Sequence, residues 1–123
     1  MMYPVVQVAL GGALGAVARH GVNLLGRRWP GFPASTLAVN VIGSLLMGVL
    51  VVVLAERGAM RHAPLLMTGV LGGFTTFSAF SLDAVALWER GQPGLAALYV
   101  AGSLGLSIGA LIAGLWLARG YYA

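Results

Sequence analysis

Charged residues divide the chain into four long stretches that carry no charge. These stretches are Met1–Ala18, Trp29–Ala55, His62–Leu82 and Gly91–Ala118. Each is close to the roughly 20 apolar residues that a helix needs to cross the hydrocarbon core of a bilayer. The pattern therefore predicts four transmembrane helices.

Prolines mark where these helices begin. Pro33, Pro64 and Pro93 precede the second, third and fourth apolar runs, and proline is tolerated in the first turn of a helix because its missing N–H would be unpaired there. The connections are short, so neighbouring helices should run antiparallel. We predict a single transmembrane domain over residues 1–123, with helices over residues 4–26, 34–55, 64–88 and 94–118.

Composition supports an all-α integral membrane fold. Hydrophobic residues make up 59% of the chain and charged residues 8%, whereas a soluble domain carries about 25% charge. So little charge cannot cover a water-facing surface. The net charge of +4 comes from arginines spread between the apolar runs, which predicts anchors at the membrane surface rather than a nucleic-acid interface.

The loop arginines give no preferred orientation in the membrane. Arg57, Arg61 and Arg119 fall on the side of both termini, while Arg27, Arg28 and Arg90, with Arg19 near them, fall on the other. The positive-inside rule has no imbalance to act on here. We therefore predict that the chain inserts in both orientations and that the two orientations pair as an antiparallel, dual-topology homodimer.

The third apolar stretch contains a segment that is unsuited to a regular helix. Residues 72–81 read Gly-Gly-Phe-Thr-Thr-Phe-Ser-Ala-Phe-Ser, and glycine, threonine and serine are all weak helix formers. We predict a helix break at Gly72-Gly73. The freed carbonyls would then need a cavity, water or a cation at membrane depth. The alternative is an unbroken, kinked packing helix.

Two further helices carry stripes of neutral polar side chains, each with a spacing of four residues that puts its members on one helical face. The stripes are Thr36, Asn40 and Ser44 on the second helix and Tyr99, Ser103 and Ser107 on the fourth. An asparagine amide offers two N–H donors. The simpler alternative for both stripes is hydrogen bonding between packed helices, which is common in lipid.

Neutral donors and aromatic edges together suit a small anion. Phe77 and Phe80 are three residues apart, so their electropositive ring edges can share a helical face. A fixed lysine or arginine in such a lining would bind an anion too tightly for fast conduction. Arg19 could reach the interface or attract anions into a vestibule, and Asp83 and Glu89 are candidate interfacial or vestibule groups.

Several kinds of chemistry lack the residues they need. The sequence has no nucleophile–base pair, no phosphate-binding loop and no metal-ligand cluster, so we expect no enzyme. A proton-coupled exporter needs a carboxylate embedded in the membrane, and the first helix has none. Two alternatives stay open at this point: a small dual-topology multidrug exporter and a structural subunit of a membrane complex.

Three motifs in order give the chain a resemblance to a known family. They are Gly11–Ala16 followed by Arg19, Thr36–Ser44, and Gly72–Ser81. With these motifs the sequence resembles the Fluc/CrcB fluoride-channel family over essentially its whole length. The resemblance implies passive, fluoride-selective export across the inner (plasma) membrane, protection against fluoride toxicity, and an antiparallel homodimer with two pores.

The resemblance also implies roles for individual residues. Asn40 corresponds to the pore asparagine, and Phe77 and Phe80 to the phenylalanines whose edges face fluoride. Arg19 corresponds to the vestibule arginine, and Asp83 stands where an acid is frequent. The implied polar pore-lining positions are Thr36, Ser81, Tyr99, Ser103 and Ser107.

A structural Na⁺ at the dimer centre is implied as well. The backbone carbonyls of Gly72 and Thr75 in both subunits would bind it. Three positions depart from the family pattern: Ala79 where threonine is usual, Phe74 where an aliphatic residue is common, and His20 where an aromatic residue is common. The first removes one hydroxyl from the polar lining and puts the conduction rate in question.

Overall fold

The structure is a computed structural model that describes residues 3–123. The predicted domain 1–123 therefore includes two N-terminal residues that lie outside the described ones. In the third span, a 3₁₀ turn (Met60–His62) and a π-helical segment (Pro64–Leu71) come before the first α-helical residues, Gly72–Phe74. The α-helices are α1 (Pro4–Gly26), α2 (Ala34–Glu56), α3 (Gly72–Phe74), α4 (Phe77–Glu89) and α5 (Pro93–Tyr122).

Four helical spans are long and apolar enough to cross a membrane. They are Pro4–Gly26, Ala34–Glu56, Met60–Glu89 and Pro93–Tyr122. The prediction of four membrane-length helices with an interrupted third one is thus confirmed. The fourth helix was predicted to end at residue 118, but α5 continues to Tyr122; a basic residue in the last turn, here Arg119, is favourable beside the helix's C-terminal carbonyls.

Two glycines end helices in the same way. Gly58 has φ +62° and Gly91 has φ +76°, a left-handed conformation that glycine adopts without a steric penalty. After α2, the Ala59 N–H donates to the Leu54 carbonyl at 2.8 Å, and after α4 the Gln92 N–H donates to the Leu87 carbonyl at 3.0 Å. This is the Schellman arrangement, which satisfies free carbonyls and reverses the chain within a few residues.

The most extensive helix contact joins α2 and α5, while α4 packs on α5 and α1 packs on the π segment and α3. Glycines permit the α2–α5 contact. A methyl group added at Gly48 would lie 3.0 Å from Leu115 N, and one added at Gly114 would lie 3.1 Å from Val49 N. Small residues allow such close backbone approach in lipid. The backbones of α2 and α5 therefore lie in direct contact.

Glycines also hold α1 against the third span just before its interruption. A methyl group at Gly15 would come within 2.8 Å of Phe74 N, and one at Gly73 within 2.6 Å of Gly12 O. Since these contacts are backbone to backbone, α1 fixes the position of α3.

The interruption lies three residues beyond the predicted position, which corrects the expectation of a break at Gly72-Gly73. Both glycines are helical in α3. Thr75 (φ −87°, ψ 159°) and Thr76 (φ −154°, ψ 124°) are extended instead. A glycine is needed at position 73 because the backbone of α1 lies against it, so its presence does not mark the break. The β-branched threonines, in contrast, readily adopt an extended backbone.

Candidate functional site

The side chain of Asn40 takes the place of the missing helical partners at the break. Its Oδ1 accepts a hydrogen bond from the Thr76 N–H at 2.8 Å, and its Nδ2 donates to the Thr76 carbonyl at 3.0 Å. Gly43, one turn further along α2, leaves room for this contact, since a side chain there would overlap Thr75. The amide on α2 thus sets the geometry of the interrupted span.

Two other side chains stabilise the ends of the break. Arg19 on α1 donates from Nε to the Gly73 carbonyl at 3.1 Å. The Thr76 hydroxyl oxygen accepts from the Ala79 N–H at 3.2 Å and caps the start of α4. The predicted vestibule residue Arg19 is therefore bound to the break itself through part of its guanidinium.

The carbonyl groups of Gly72 and Thr75 at the break have no hydrogen-bond donor in the described chain. The Thr76 N–H, which would bond to the Gly72 oxygen in a continuous helix, is bound to Asn40. The Ala79 N–H, which would bond to the Thr75 oxygen, is bound to the Thr76 hydroxyl. Within residues 3–123, the Gly72 and Thr75 carbonyls accept no other hydrogen bond. These are the two carbonyls predicted to bind a cation.

A cavity of about 330 Å³ lies between α2, the break and α5. It brings together several predicted site residues, namely Asn40, Thr75, Phe77, Phe80, Ser103 and Ser107. Gly43, Ser44, Met47, Thr76, Leu104, Ile108 and Leu111 complete its wall. The lining carries no charged side chain.

Ser103 contributes a polar atom that has no partner. The residue is 5% exposed, and its hydroxyl makes no hydrogen bond to any part of the described chain. Buried polar atoms are nearly always hydrogen-bonded, so an unpaired one needs an explanation. Because Ser103 lines the cavity, its hydroxyl can be satisfied by whatever the cavity contains.

The two phenylalanines differ sharply in their surroundings. Their ring centroids are 5.5 Å apart and their planes are inclined by 50°. Phe80 is 8% exposed, whereas Phe77 is 75% exposed. Phe80 is held by a buried cluster with Leu87, Ala96 and Tyr99, so one wall of the cavity is rigid and the wall at Phe77 is open in the single chain.

Other predicted site residues lie behind the cavity or beside it. Tyr99 packs its ring on Phe80 at 5.3 Å, and its hydroxyl donates to Asp83 Oδ2 at 3.2 Å. Thr36 is buried without lining the cavity. The Ser81 hydroxyl donates to the Phe77 carbonyl at 3.0 Å. Tyr99 thus supports the Phe80 ring, Asp83 holds the Tyr99 hydroxyl, and Ser81 bonds to the backbone of Phe77.

Sequence reasoning left out Ser44, Met47, Thr76 and Leu111 as lining residues. Ser44 belongs to the polar stripe on α2, so its spacing from Asn40 was a usable signal. Thr76 stood inside the recognised motif, but nothing local shows that its backbone would bond to Asn40. Met47 and Leu111 look like any apolar residue of a membrane helix, and only the packing distinguishes them.

The chain is similar in sequence to known proteins over nearly its whole length. A family model described as "CrcB-like protein, Camphor Resistance (CrcB)" matches residues 6–115. A protein of Cereibacter sphaeroides is 62% identical over 125 residues, and one of Paracoccus denitrificans is 58% identical over 124 residues, each match covering 100% of both chains. A third, from Agrobacterium fabrum, is 50% identical over 98% of this chain and 100% of its own.

Each of these relatives is named a fluoride-specific ion channel FluC. The matches run from end to end and include the segments that form the break and the cavity. Together with four apolar spans, they make the chain a multi-pass membrane protein, and it belongs to the CrcB-like family.

Proposed function

We propose that this chain forms a fluoride-selective channel in the inner (plasma) membrane and exports fluoride passively, protecting the cell from its toxicity. The observation that carries the proposal is the cavity beside the break, which unites Asn40, two phenylalanine rings and the unpaired hydroxyl of Ser103. Relatives identical at about three in five positions bear the name of a fluoride channel.

The lining offers neutral donors in place of water. The Asn40 Nδ2 has two N–H groups, of which one is bound to the Thr76 carbonyl and the other is available. The Ser103 hydroxyl has no internal partner, and the phenylalanine edges carry partial positive charge. Together these groups can replace part of the hydration shell of a small anion. None of them holds a full charge, so the anion can leave again.

Export then needs no energy source besides the membrane potential. An inside-negative potential of 100 mV is worth about 2.3 kcal/mol for each elementary charge that crosses. Fluoride enters acidified cells as neutral HF, dissociates, and would be driven out as the anion. A lining with donors spaced for a small ion disfavours the larger chloride.

A second copy of the chain in the opposite orientation would complete the site. Phe77 is 75% exposed, so a single chain leaves the ion exposed to lipid on that side. Gly72, whose carbonyl has no hydrogen bond, is exposed as well, and an unpaired carbonyl facing lipid costs several kcal/mol. An antiparallel homodimer would cover both. Cysteine labelling at the C-terminus should find both orientations; labelling from one side alone would refute this arrangement.

The break also fits a structural Na⁺. The carbonyl oxygens of Gly72 and Thr75 are the hard ligands that such a cation prefers, and two copies would supply four. The ion would neutralise carbonyl dipoles that converge at the dimer centre. A higher thermal midpoint in NaCl than in N-methylglucamine chloride is expected, and equal midpoints would contradict the site.

Fluoride efflux from proteoliposomes tests the function. The purified chain should release fluoride, measured with a fluoride electrode, and should release little chloride from matched vesicles. Phe77→Ile and Phe80→Ile remove the ring edges while keeping apolar volume, and each should nearly abolish fluoride efflux. Absence of fluoride flux in the wild-type chain would overturn the proposal, and normal flux in both variants would overturn the role of the rings.

A further inference from the structure

A second groove, which shares no lining residue with the cavity, lies between the C-terminal ends of α2 and α5. It has a volume of about 370 Å³. Its wall is formed by the aliphatic residues Val49, Val53, Leu117 and Ala118, and its mouth by Arg57, Tyr121 and Tyr122. The polar end therefore coincides with the ends of two membrane-crossing helices, where the bilayer surface would lie.

The mouth of the groove presents unused donors. Arg57 donates from Nε to the Tyr122 hydroxyl at 3.1 Å, and the guanidinium makes no other hydrogen bond within residues 3–123. Four of its five N–H groups are consequently available. The bond to Tyr122, whose ring meets Tyr121 edge to face at 5.0 Å, restrains the guanidinium at the edge of the apolar wall.

The dimensions fit one acyl chain beneath one phosphate. Residues 49 and 57 are eight positions apart on or at the end of α2, which corresponds to about 12 Å along the helix axis. Guanidinium groups bind phosphate in a fork geometry, and tyrosine rings favour the headgroup region. A positive mouth above an apolar wall is complementary to an anionic phospholipid.

We propose that the groove between α2 and α5 binds one anionic phospholipid, with its phosphate on Arg57 and an acyl chain along Val49 and Val53. This site is independent of the fluoride cavity. A single arginine near an anionic headgroup contributes about 1 kcal/mol, or about fivefold in binding. The expected preference for an anionic over a zwitterionic lipid is of that size.

Native mass spectrometry of the purified full chain tests the site. The protein is mixed with equal amounts of phosphatidylglycerol and phosphatidylcholine that carry the same acyl chains. The wild type should retain phosphatidylglycerol about fivefold more. Arg57→Gln should lose the preference, and Val53→Trp, which fills the groove, should lose retention. Arg119→Gln removes a charge from the same end of α5 outside the groove and should keep the preference.

Every other result overturns the proposal. Equal retention of the two lipids by the wild type, or equal losses in Arg57→Gln and Arg119→Gln, would mean that no specific site exists. Displacement of the lipid by an equimolar soluble glycerol phosphate would show that the apolar wall contributes nothing. If Val53→Trp changes the oligomeric state of the protein but leaves lipid retention unchanged, the groove is a contact between protein chains.

Discussion

Replacing Asn40 by alanine should release the break in the third span. The wild-type amide accepts from the Thr76 N–H at 2.8 Å and donates to the Thr76 carbonyl at 3.0 Å. Alanine removes both partners and changes no other hydrogen bond of the described chain. The two backbone groups of Thr76 would be left at membrane depth, where water reaches them only through the cavity.

The magnitude follows from these two bonds. Leaving one buried polar group unsatisfied costs about 1–3 kcal/mol in soluble proteins, but hydrogen bonds between membrane helices average about 0.6 kcal/mol and reach about 1.7. The membrane values are the better guide, because the break lies within a membrane-length span. For two bonds we expect a loss of about 1–3 kcal/mol, which lowers the thermal midpoint by about 4 °C or more.

The assay is the fraction of protein that still elutes as folded species after heating in detergent. Ser44→Ala is the matched control, since Ser44 lines the same cavity on the same helix and makes no hydrogen bond within residues 3–123. Its midpoint should stay at the wild-type value. Asn40→Asp keeps an acceptor for the Thr76 N–H, but it loses the donor to the Thr76 carbonyl and adds a negative charge, so it should conduct no fluoride.

One result would refute the reasoning about the break. If Asn40→Ala unfolds at the wild-type temperature and only fluoride efflux falls, the amide acts on the ion and does not hold Thr76. If stability falls and efflux per folded protein does not, Asn40 holds the break but is no ligand for the ion.

Three further changes probe other contacts by the same two assays. Gly114→Ala should lower the free energy of unfolding by about 1–3 kcal/mol through overpacking against α2 and so lower the thermal midpoint, whereas Gly120→Ala, which meets open space, should leave it unchanged. Arg19→Met should lower the midpoint, because the Gly73 carbonyl loses its donor; reduced efflux at low fluoride with an unchanged midpoint would instead favour a vestibule role. Ser103→Ala should slow fluoride efflux without loss of stability, since its hydroxyl has no internal partner.

The membrane-spanning helices could be predicted because the features that mark them depend only on residues close together in the sequence. A run of about 20 apolar residues and a first-turn proline can be recognised without knowledge of the fold. The end of the fourth span was missed for the opposite reason. A charge at Arg119 looked like a boundary, but α5 continues to Tyr122 and meets Arg57 across 65 positions of sequence.

The position of the break could not be taken from helix propensity. Gly72 and Gly73 are the poorest helix formers of the motif, yet both are helical, and α1 packs closely on Gly73. The extended residues are Thr75 and Thr76, whose backbone finds its partner on α2. Helix propensity depends on neighbouring residues and cannot predict a hydrogen bond between residues 36 positions apart.

The polar stripes predicted some of the residues that line the cavity. Ser103 and Ser107 line it, but Tyr99, on the same stripe, lies in the core between α4 and α5. The break opens space beside only part of α5, so a straight stripe on that helix passes from the cavity into packed protein. The roles of Thr36, Ser81 and Tyr99 as polar pore-lining residues and of Asp83 as a vestibule residue stay predictions.

The interruption of the third span leaves two kinds of polar group available. Arg19, Asn40 and the Thr76 hydroxyl satisfy some of the groups that a continuous helix would pair. What remains falls into two sets: donors that line the cavity, and the carbonyls of Gly72 and Thr75. Donors suit an anion and carbonyls suit a cation. If the proposed channel and cation site both exist, the same break would supply donors for fluoride and carbonyls for a structural cation, and both sites would depend on the three side chains that stabilise the break.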